Sequence, residues 1–418
     1  MARPIPRRFR GVFAALAVML VLLAALLVYL RYPRPPEAGP LRLVASRFAD
    51  LEGWQRADPA PALRAFVKSC ALFAKAEADR ALGQGGYAGR ADDWRAVCVA
   101  AIARGDDVPT ARAFFESTFV PYGVQAGDKA TGLFTGYYEP ELRGSRAREG
   151  VYQTPVYGLP NDLVAVDLGL FREKLSGERI AGRVENGRLV PYATRAEIAR
   201  SGLGAARPLF FLDDSVGAFF LHIQGSGRVR LADGTVVRAA YAGQNGHVYT
   251  SIGKVLIERG ALAREDVTMQ SIRAWLETHA DEAESVLDAN ASYVFFEERA
   301  IGDPAEGAEG AAGVALTPRA SLAVDRAIHP LGAPFWVEAS VPAADPAAPD
   351  AAFAELMVAQ DTGGAIRGAV RGDVFWGAGA EAESIAGRMK HEGRLFVLLP
   401  RVTAEKLGAG AEFPEPEQ

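Results

Sequence analysis

A run of 20 residues without a charge, Gly11–Leu30, constrains this chain before any other feature does. It is almost wholly Ala, Val, Leu, Met and Phe, and about 20 helical residues cross a hydrocarbon core of about 30 Å. Arg3, Arg7, Arg8 and Arg10 precede it. Basic flanks stay in the cytoplasm, so the chain beyond residue 30 is expected outside. The run ends in Val28-Tyr29-Leu30-Arg31, which lacks the small-residue exit of a cleaved signal peptide. No cysteine follows directly to carry a lipid. The reading is a basic flank at 1–10, an uncleaved inner-membrane anchor at 11–30 and a linker at 31–45 that opens with Tyr32-Pro33-Arg34-Pro35-Pro36.

A chain of 418 residues has room for two further domains. Its 49% hydrophobic and 23% charged residues exclude global disorder. A net charge of -5 argues against electrostatic binding of nucleic acid. The 44 glycines and 25 prolines suit a turn-rich β architecture. Two cysteines without a Cys-x-x-Cys and five scattered histidines give no zinc pattern. In an exported chain Cys70 and Cys98 form a disulfide or remain two separate buried thiols, and the sequence leaves both open.

Leu63, Phe66, Val67, Cys70 and Phe73 recur at helical spacing. Further helices are expected at Asp92–Arg104, Pro109–Ser117, Ser251–Arg259 and about Met269–His279. Strand character covers Gly132–Tyr138, Phe219–Gln224, Ser292–Glu297, Pro334–Glu338, Ala354–Ala359 and Arg394–Leu399. Arg228–Leu231 and Thr235–Arg238 read as a hairpin across an Asp-Gly turn. The end, 403–418, reads as a tail, frayed from Glu412.

The stretch Ala359–Gly377 is the most unusual. A hydrophobic strand ends on Asp361, two glycines turn the chain, and Asp373 follows 12 positions later beside Phe375 and Trp376. Carboxylates on a rigid scaffold suit glycosidic cleavage, and aromatic neighbours raise a carboxyl pKa by desolvation. Asp-Gly-Gly is equally an ordinary turn. Asp325, beside Arg326, is a third candidate or a paired surface charge. No tight acidic loop surrounds these acids, and no P-loop or Gly-rich dinucleotide-binding turn is present, so no metal or cofactor is expected. Thr135, Tyr137, Tyr138, Gln153, Gln224, Ser226, Gln244 and Asn245 are candidates for holding a neutral, hydroxyl-rich polymer through amides, hydroxyls and aromatic faces. Core and turn roles suit them as well.

Taken in order, Thr135–Pro140, Gln153–Tyr157, Phe220–Arg230, Tyr241–Tyr249 with Ser251-Ile252-Gly253-Lys254, Asn290–Phe296, Gly313–Pro318, Ser321–Asp325 and Asp361–Gly377 resemble the membrane-bound lytic murein transglycosylase A family. The resemblance implies a mainly β fold with some α. A double-psi β-barrel catalytic domain (46–141 and 288–402) would hold an inserted second β-barrel-like domain (142–287), with the glycan in the groove between them. It implies cleavage of peptidoglycan glycan strands without water by a monomer facing the periplasm. Asp373 would be the acid/base, with Asp361 and Asp325 supporting it. Two other readings stay open: a hydrolase with Asp361 or Glu139 as second carboxylate, and a non-catalytic peptidoglycan-binding protein.

Overall fold

The computed structural model describes residues 39–104, 107–172, 175, 179–408 and 410–413. The expected flank and anchor lie outside them. Among the described residues no helix is long and apolar enough to cross a membrane.

The described chain carries β1 (Leu41–Ala45), β2 (Phe119–Ala126), β3 (Thr131–Glu139), β4 (Glu141–Ser145), β5 (Thr154–Tyr157), β6 (Val164–Asp167), β7 (Arg179–Glu185), β8 (Arg188–Pro191) and β9 (Pro208–Leu212). It continues with β10 (Gly227–Leu231), β11 (Val236–Gln244), β12 (Val294–Ala300), β13 (Ser321–Ala323), β14 (Pro334–Val341), β15 (Ala351–Asp361), β16 (Arg371–Ala378), β17 (Lys390–Pro400) and β18 (Gly410–Phe413).

Six of these strands close on themselves. β14 pairs with β15 on one edge and β17 on the other. β17 pairs with β3, β3 runs parallel to β16, β16 pairs with β13, and β13 runs parallel to β15. The ring leaves no open edge. β15 and β17 read as near-continuous apolar runs, Leu356–Ala359 and Leu395–Leu399, because both faces are covered. One face fills the barrel and the other lies under helices. β2, β1 and β18 extend the sheet outward from the far half of β17.

The helix Ala60–Lys75 buries Leu63, Phe66, Cys70 and Phe73 at three- and four-residue spacing. Phe73 stacks on Trp94 with ring centroids 4.9 Å apart, and Phe66 meets Phe119 edge-on at 5.8 Å. Cys70 is bonded to Cys98 on the neighbouring helix Ala91–Ile102, with Cα atoms 5.6 Å apart. Of the two readings left open by the sequence, the disulfide is the one present.

The second sheet has the order β12-β11-β10-β4-β9-β5, and a bridge between Gly158 and Phe296 links its two ends. β6, β7 and β8 form a separate small sheet. The hairpin β10–β11 turns at Asp233-Gly234 as expected, with Gly234 at φ +88 and Asp233 accepting from the Thr235 N–H.

Several expectations change. Phe219–Gln224 is helical, part of Ser215–Gln224, capped by Asp214 and ended by Gly225 at φ +80. Val216–His222 is buried on every side, so no period distinguished helix from strand. Residues 41–45, read as linker, are β1. The supposed tail holds the helix Arg401–Leu407 and then β18, which pairs with β1 through Phe413 and Glu412. The second sheet continues through β12 to Ala300, past the boundary expected at 287. The helices Arg195–Ser201, Ala280–Leu287 and Ala380–Ala386 had not been expected.

Cross-linking two positions 28 residues apart removes loop entropy from the unfolded chain worth about 3.6 kcal/mol. Cys70→Ala/Cys98→Ala is therefore expected to lose about 2–4 kcal/mol in denaturant unfolding. An unchanged midpoint would contradict this.

Candidate active site

Along β16, Arg371, Asp373 and Phe375 share one face because side chains alternate. The opposite face is closed: a Cβ on Gly372 would lie 2.8 Å from the Phe134 ring and 3.0 Å from Leu322. The parallel neighbour β3 sets Leu133 beside Arg371, Thr135 beside Asp373 and Tyr137 beside Phe375. On the other side, Ala323 of β13 is in register with both Asp373 and Asp361. The two aspartates thus flank one strand, and their backbones stand about 10 Å apart.

Asp373 is half-buried. Its Oδ1 accepts the Thr135 hydroxyl at 2.6 Å. Burial pushes its pKa up, while the Arg371 charge and the Thr135 hydrogen bond pull it back. Asp361 accepts from the Tyr137 hydroxyl at 3.0 Å, from the Ala311 N–H at 3.0 Å and from its neighbour Thr362 N–H at 2.9 Å. Burial raises its pKa, these donors lower it, and the charge of Asp373 raises it again. Tyr137, desolvated and facing both aspartates, is held well above its usual pKa and stays a donor. Its ring packs on Phe375 at 5.2 Å.

The backbone entering this site is anchored from below. Gln360 is fully buried. Its amide donates to the Ala65 carbonyl and the Ser69 hydroxyl, both at 2.8 Å, and its carbonyl accepts from Ser321. The helix Ala60–Lys75 therefore holds the residue next to Asp361. Asp325 is 5% exposed. It accepts from the Gly368 N–H at 2.9 Å and the Ala327 N–H at 3.2 Å, and Arg367 lies 3.8 Å away. It pins the loop between β15 and β16 and is not a surface charge, and among the described residues it shares no side-chain hydrogen-bond partner with the other two acids.

Residues 133–297 match the family model described as the MltA specific insert domain, and residues 320–399 match the 3D domain, a span that contains all three aspartates. The membrane-bound lytic murein transglycosylase A of Vibrio cholerae is 35% identical over 292 residues, 68% of this chain and 71% of that one. This chain belongs to the membrane-bound lytic murein transglycosylase A family. Its counterpart of that name in Escherichia coli K12 is 38% identical over 269 residues, a match that spans 63% of this chain and 65% of the relative's length. The membrane-bound lytic murein transglycosylase structure from Agrobacterium tumefaciens superposes with a TM-score of 0.76 at 33% identity, covering 87% of this chain and 99% of that one. E. coli MltA with bound chitohexaose gives 0.61 at 29% identity, covering 88% and 97%.

The other candidates divide. Thr135 and Tyr137 stand at the aspartates. Tyr138 points the other way and is buried beside Ala382 and Ala386, with its N–H donating to Gln224 Oε1 at 3.0 Å. Gln224 is thereby a strut between β3 and the helix Ser215–Gln224. Ser226 is half-buried, and Gln244 is exposed at the end of β11. Gln153 is exposed and tied to its own turn through Arg148 and the Gly150 carbonyl. Asn245, expected to hold substrate, is 1% exposed. Its amide donates to the Ala193 and Ala291 carbonyls, and its oxygen accepts from the Tyr293 and His247 N–H groups. No side-chain polar atom of Asn245 is left for a ligand, so its side chain serves the framework.

Glu139, the other carboxylate weighed for a hydrolase, is fully buried. Arg238 grips it through Nε at 2.7 Å and Nη2 at 3.1 Å, and Arg228 through Nε at 3.2 Å. It serves the crossing from barrel to second sheet. Arg371 was visible in the sequence but unassigned; its signal was the Arg-x-Asp spacing, which puts both charges on one strand face.

Two outcomes follow from these contacts. Asp325→Ala leaves two loop N–H groups without their acceptor, and is expected to cost about 1–3 kcal/mol in denaturant unfolding. Asp373→Asn is expected to melt higher than wild type at pH 7. A carboxyl with a raised folded pKa destabilises the fold once it ionises, so the advantage shrinks as pH falls and the wild type protonates. Calorimetry across pH 4–8 checks the sign.

Proposed function

We propose that this chain is a lytic transglycosylase acting on peptidoglycan. It cleaves the β-1,4 bond between N-acetylmuramic acid and N-acetylglucosamine and leaves 1,6-anhydro ends. The observation that carries this reading is one half-buried carboxyl, Asp373, whose pKa is raised by burial yet held beside a cation and a hydroxyl. Such a group is suited to serve first as acid and then as base. The names of the relatives supply the substrate class.

Asp373 donates its proton to the departing glycosidic oxygen as the bond to C1 breaks. The C6 hydroxyl of the same muramic acid attacks C1, and its proton passes to the Asp373 carboxylate. The acid is restored, and no water is consumed. Because the nucleophile belongs to the substrate, a second working carboxylate is unnecessary, and its proximity lowers the barrier. Asp361, engaged by Tyr137 and two backbone donors, orders the site. The barrel serves as catalytic domain and the second sheet as glycan-binding domain, with the strand running between β3 and β10–β11. Thr135, Tyr137, Gln153, Gln224, Ser226 and Gln244 remain the side chains proposed along that path or behind it. The enzyme acts as a monomer in the periplasm, tethered to the inner membrane through residues 11–30.

Purified sacculi digested with the full chain are expected to yield anhydro-muropeptides, one water lighter than hydrolytic products. Asp373→Asn is expected to lose turnover by about 10²–10⁴-fold while still pelleting with sacculi. kcat/KM should fall as pH rises through the raised Asp373 pKa, because the free enzyme must enter the cycle protonated. Reducing-end sugars would support the hydrolase instead, and an active Asp373→Asn would remove the acid from its role.

A further inference from the structure

The two oxygens of Asp373 have different surroundings. Oδ1 accepts the Thr135 hydroxyl at 2.6 Å. That hydroxyl oxygen in turn accepts from Nη2 of Arg371 at 2.8 Å. A guanidinium carries only donors, and a threonine hydroxyl has one proton to give. The proton cannot point at Arg371, and among the described residues the other partner of this hydroxyl is Asp373. We propose that Arg371 is a positioning residue: by occupying the Thr135 oxygen it makes that hydroxyl a fixed donor to Oδ1, and so reserves Oδ2 for the proton exchanged with the glycan.

Arg371 is held for this task. It is 9% exposed, and Nη1 donates to the Leu133 carbonyl at 3.3 Å and to the Gly372 carbonyl. Among the described residues no carboxylate lies within ion-pair distance of it; the negative charge it feels is that of Asp373. A buried cation of this kind gains when Asp373 gives up its proton, because the field is strong in a poorly solvated site. Were the proton to sit on Oδ1, the carboxyl would compete with the Thr135 hydroxyl for the same contact and leave the hydroxyl proton unpaired.

The groups around Asp373 are few. Arg371 lies on its own strand, Tyr137 and Thr135 on β3, and Asp361 at the end of β15. Ala323 on β13 is apolar. Lys390 of β17 is in register with Thr135 across β3, and is exposed. Of the two cations, Arg371 is the one whose charge lowers the Asp373 pKa.

The proton-passing half of this inference rests on the transglycosylase reading; the hydrogen-bond half does not, and the experiment separates them. Thr135→Val, Thr135→Ser, Arg371→Gln and the double variant Thr135→Val/Arg371→Gln are compared in the full chain. Melting curves and sacculus pelleting serve as folding controls. Thr135→Val and Arg371→Gln each weaken the carboxylate form, so the basic limb of the kcat/KM profile is expected to move to higher pH. kcat should drop about 10–100-fold with little change in KM. Thr135→Ser should restore both. The double variant should be scarcely worse than either single one, since both cut one chain of contacts.

Isotope-edited infrared titration follows the same carboxyl without substrate, as a difference against Asp373→Asn. Its midpoint should rise in both single variants. Limbs and midpoints that stay at the wild-type pH, with losses that multiply in the double variant, would overturn the positioning role. A wild type that releases no anhydro sugar would instead sink the transglycosylase reading, while the infrared midpoints still decide the hydrogen-bond arrangement.

Discussion

The parallel register of β3 on β16 is the constraint from which the site follows. It sets Thr135 beside Asp373 and Tyr137 beside Phe375, and turns Phe134 into the core, where it is fully buried. A slip of one residue would exchange these faces. Phe134 would go to solvent, and Thr135 would be buried without its carboxylate. The hydrophobic core therefore enforces the register that sets Thr135 beside Asp373. Closing the barrel strengthens this, since β3 and β16 are each paired on both edges.

The same strand ends on Glu139, where the chain leaves the barrel. A carboxylate taken wholly out of water is costly, and the two guanidiniums of Arg228 and Arg238 offset that cost with three hydrogen bonds. Both arginines also donate to the Glu306 carbonyl, and the Glu306 side chain pairs with Lys68 on the helix Ala60–Lys75. One polar chain thus links the second sheet, the segment before β13 and the helix that anchors Gln360. Removing one member of such a buried group commonly costs about 3–5 kcal/mol. Its contribution here is to fix how the second sheet leaves the barrel.

Much of this was legible in the residues. The helix Ala60–Lys75 announced itself by period, β15 and β17 by apolar runs bounded by turns, and the hairpin β10–β11 by its Asp-Gly. The helix Ser215–Gln224 was misread because burial on all sides erases the polar face that marks a helix. β1 and β18 were missed because each is short and acquires its meaning only from the other. At the site, acids beside glycines and aromatics pointed to Asp361 and Asp373. The sequence could not say which polar groups were already engaged. Asn245 beside a glycine looks like a ligand contact until its four hydrogen bonds are counted, and Glu139 looks like a free acid until its two arginines arrive from about 90 to 100 positions away.

Gly372 carries a consequence for which substitutions the barrel wall tolerates. With Phe134 and Leu322 filling the space a Cβ would need, the position preceding Asp373 admits no larger residue without shifting the barrel wall. The neighbouring strand is equally closed at Gly136, where a Cβ would fall 2.7 Å from the Trp376 indole nitrogen. A larger side chain at either position would displace the strand pair that carries Thr135 and Asp373.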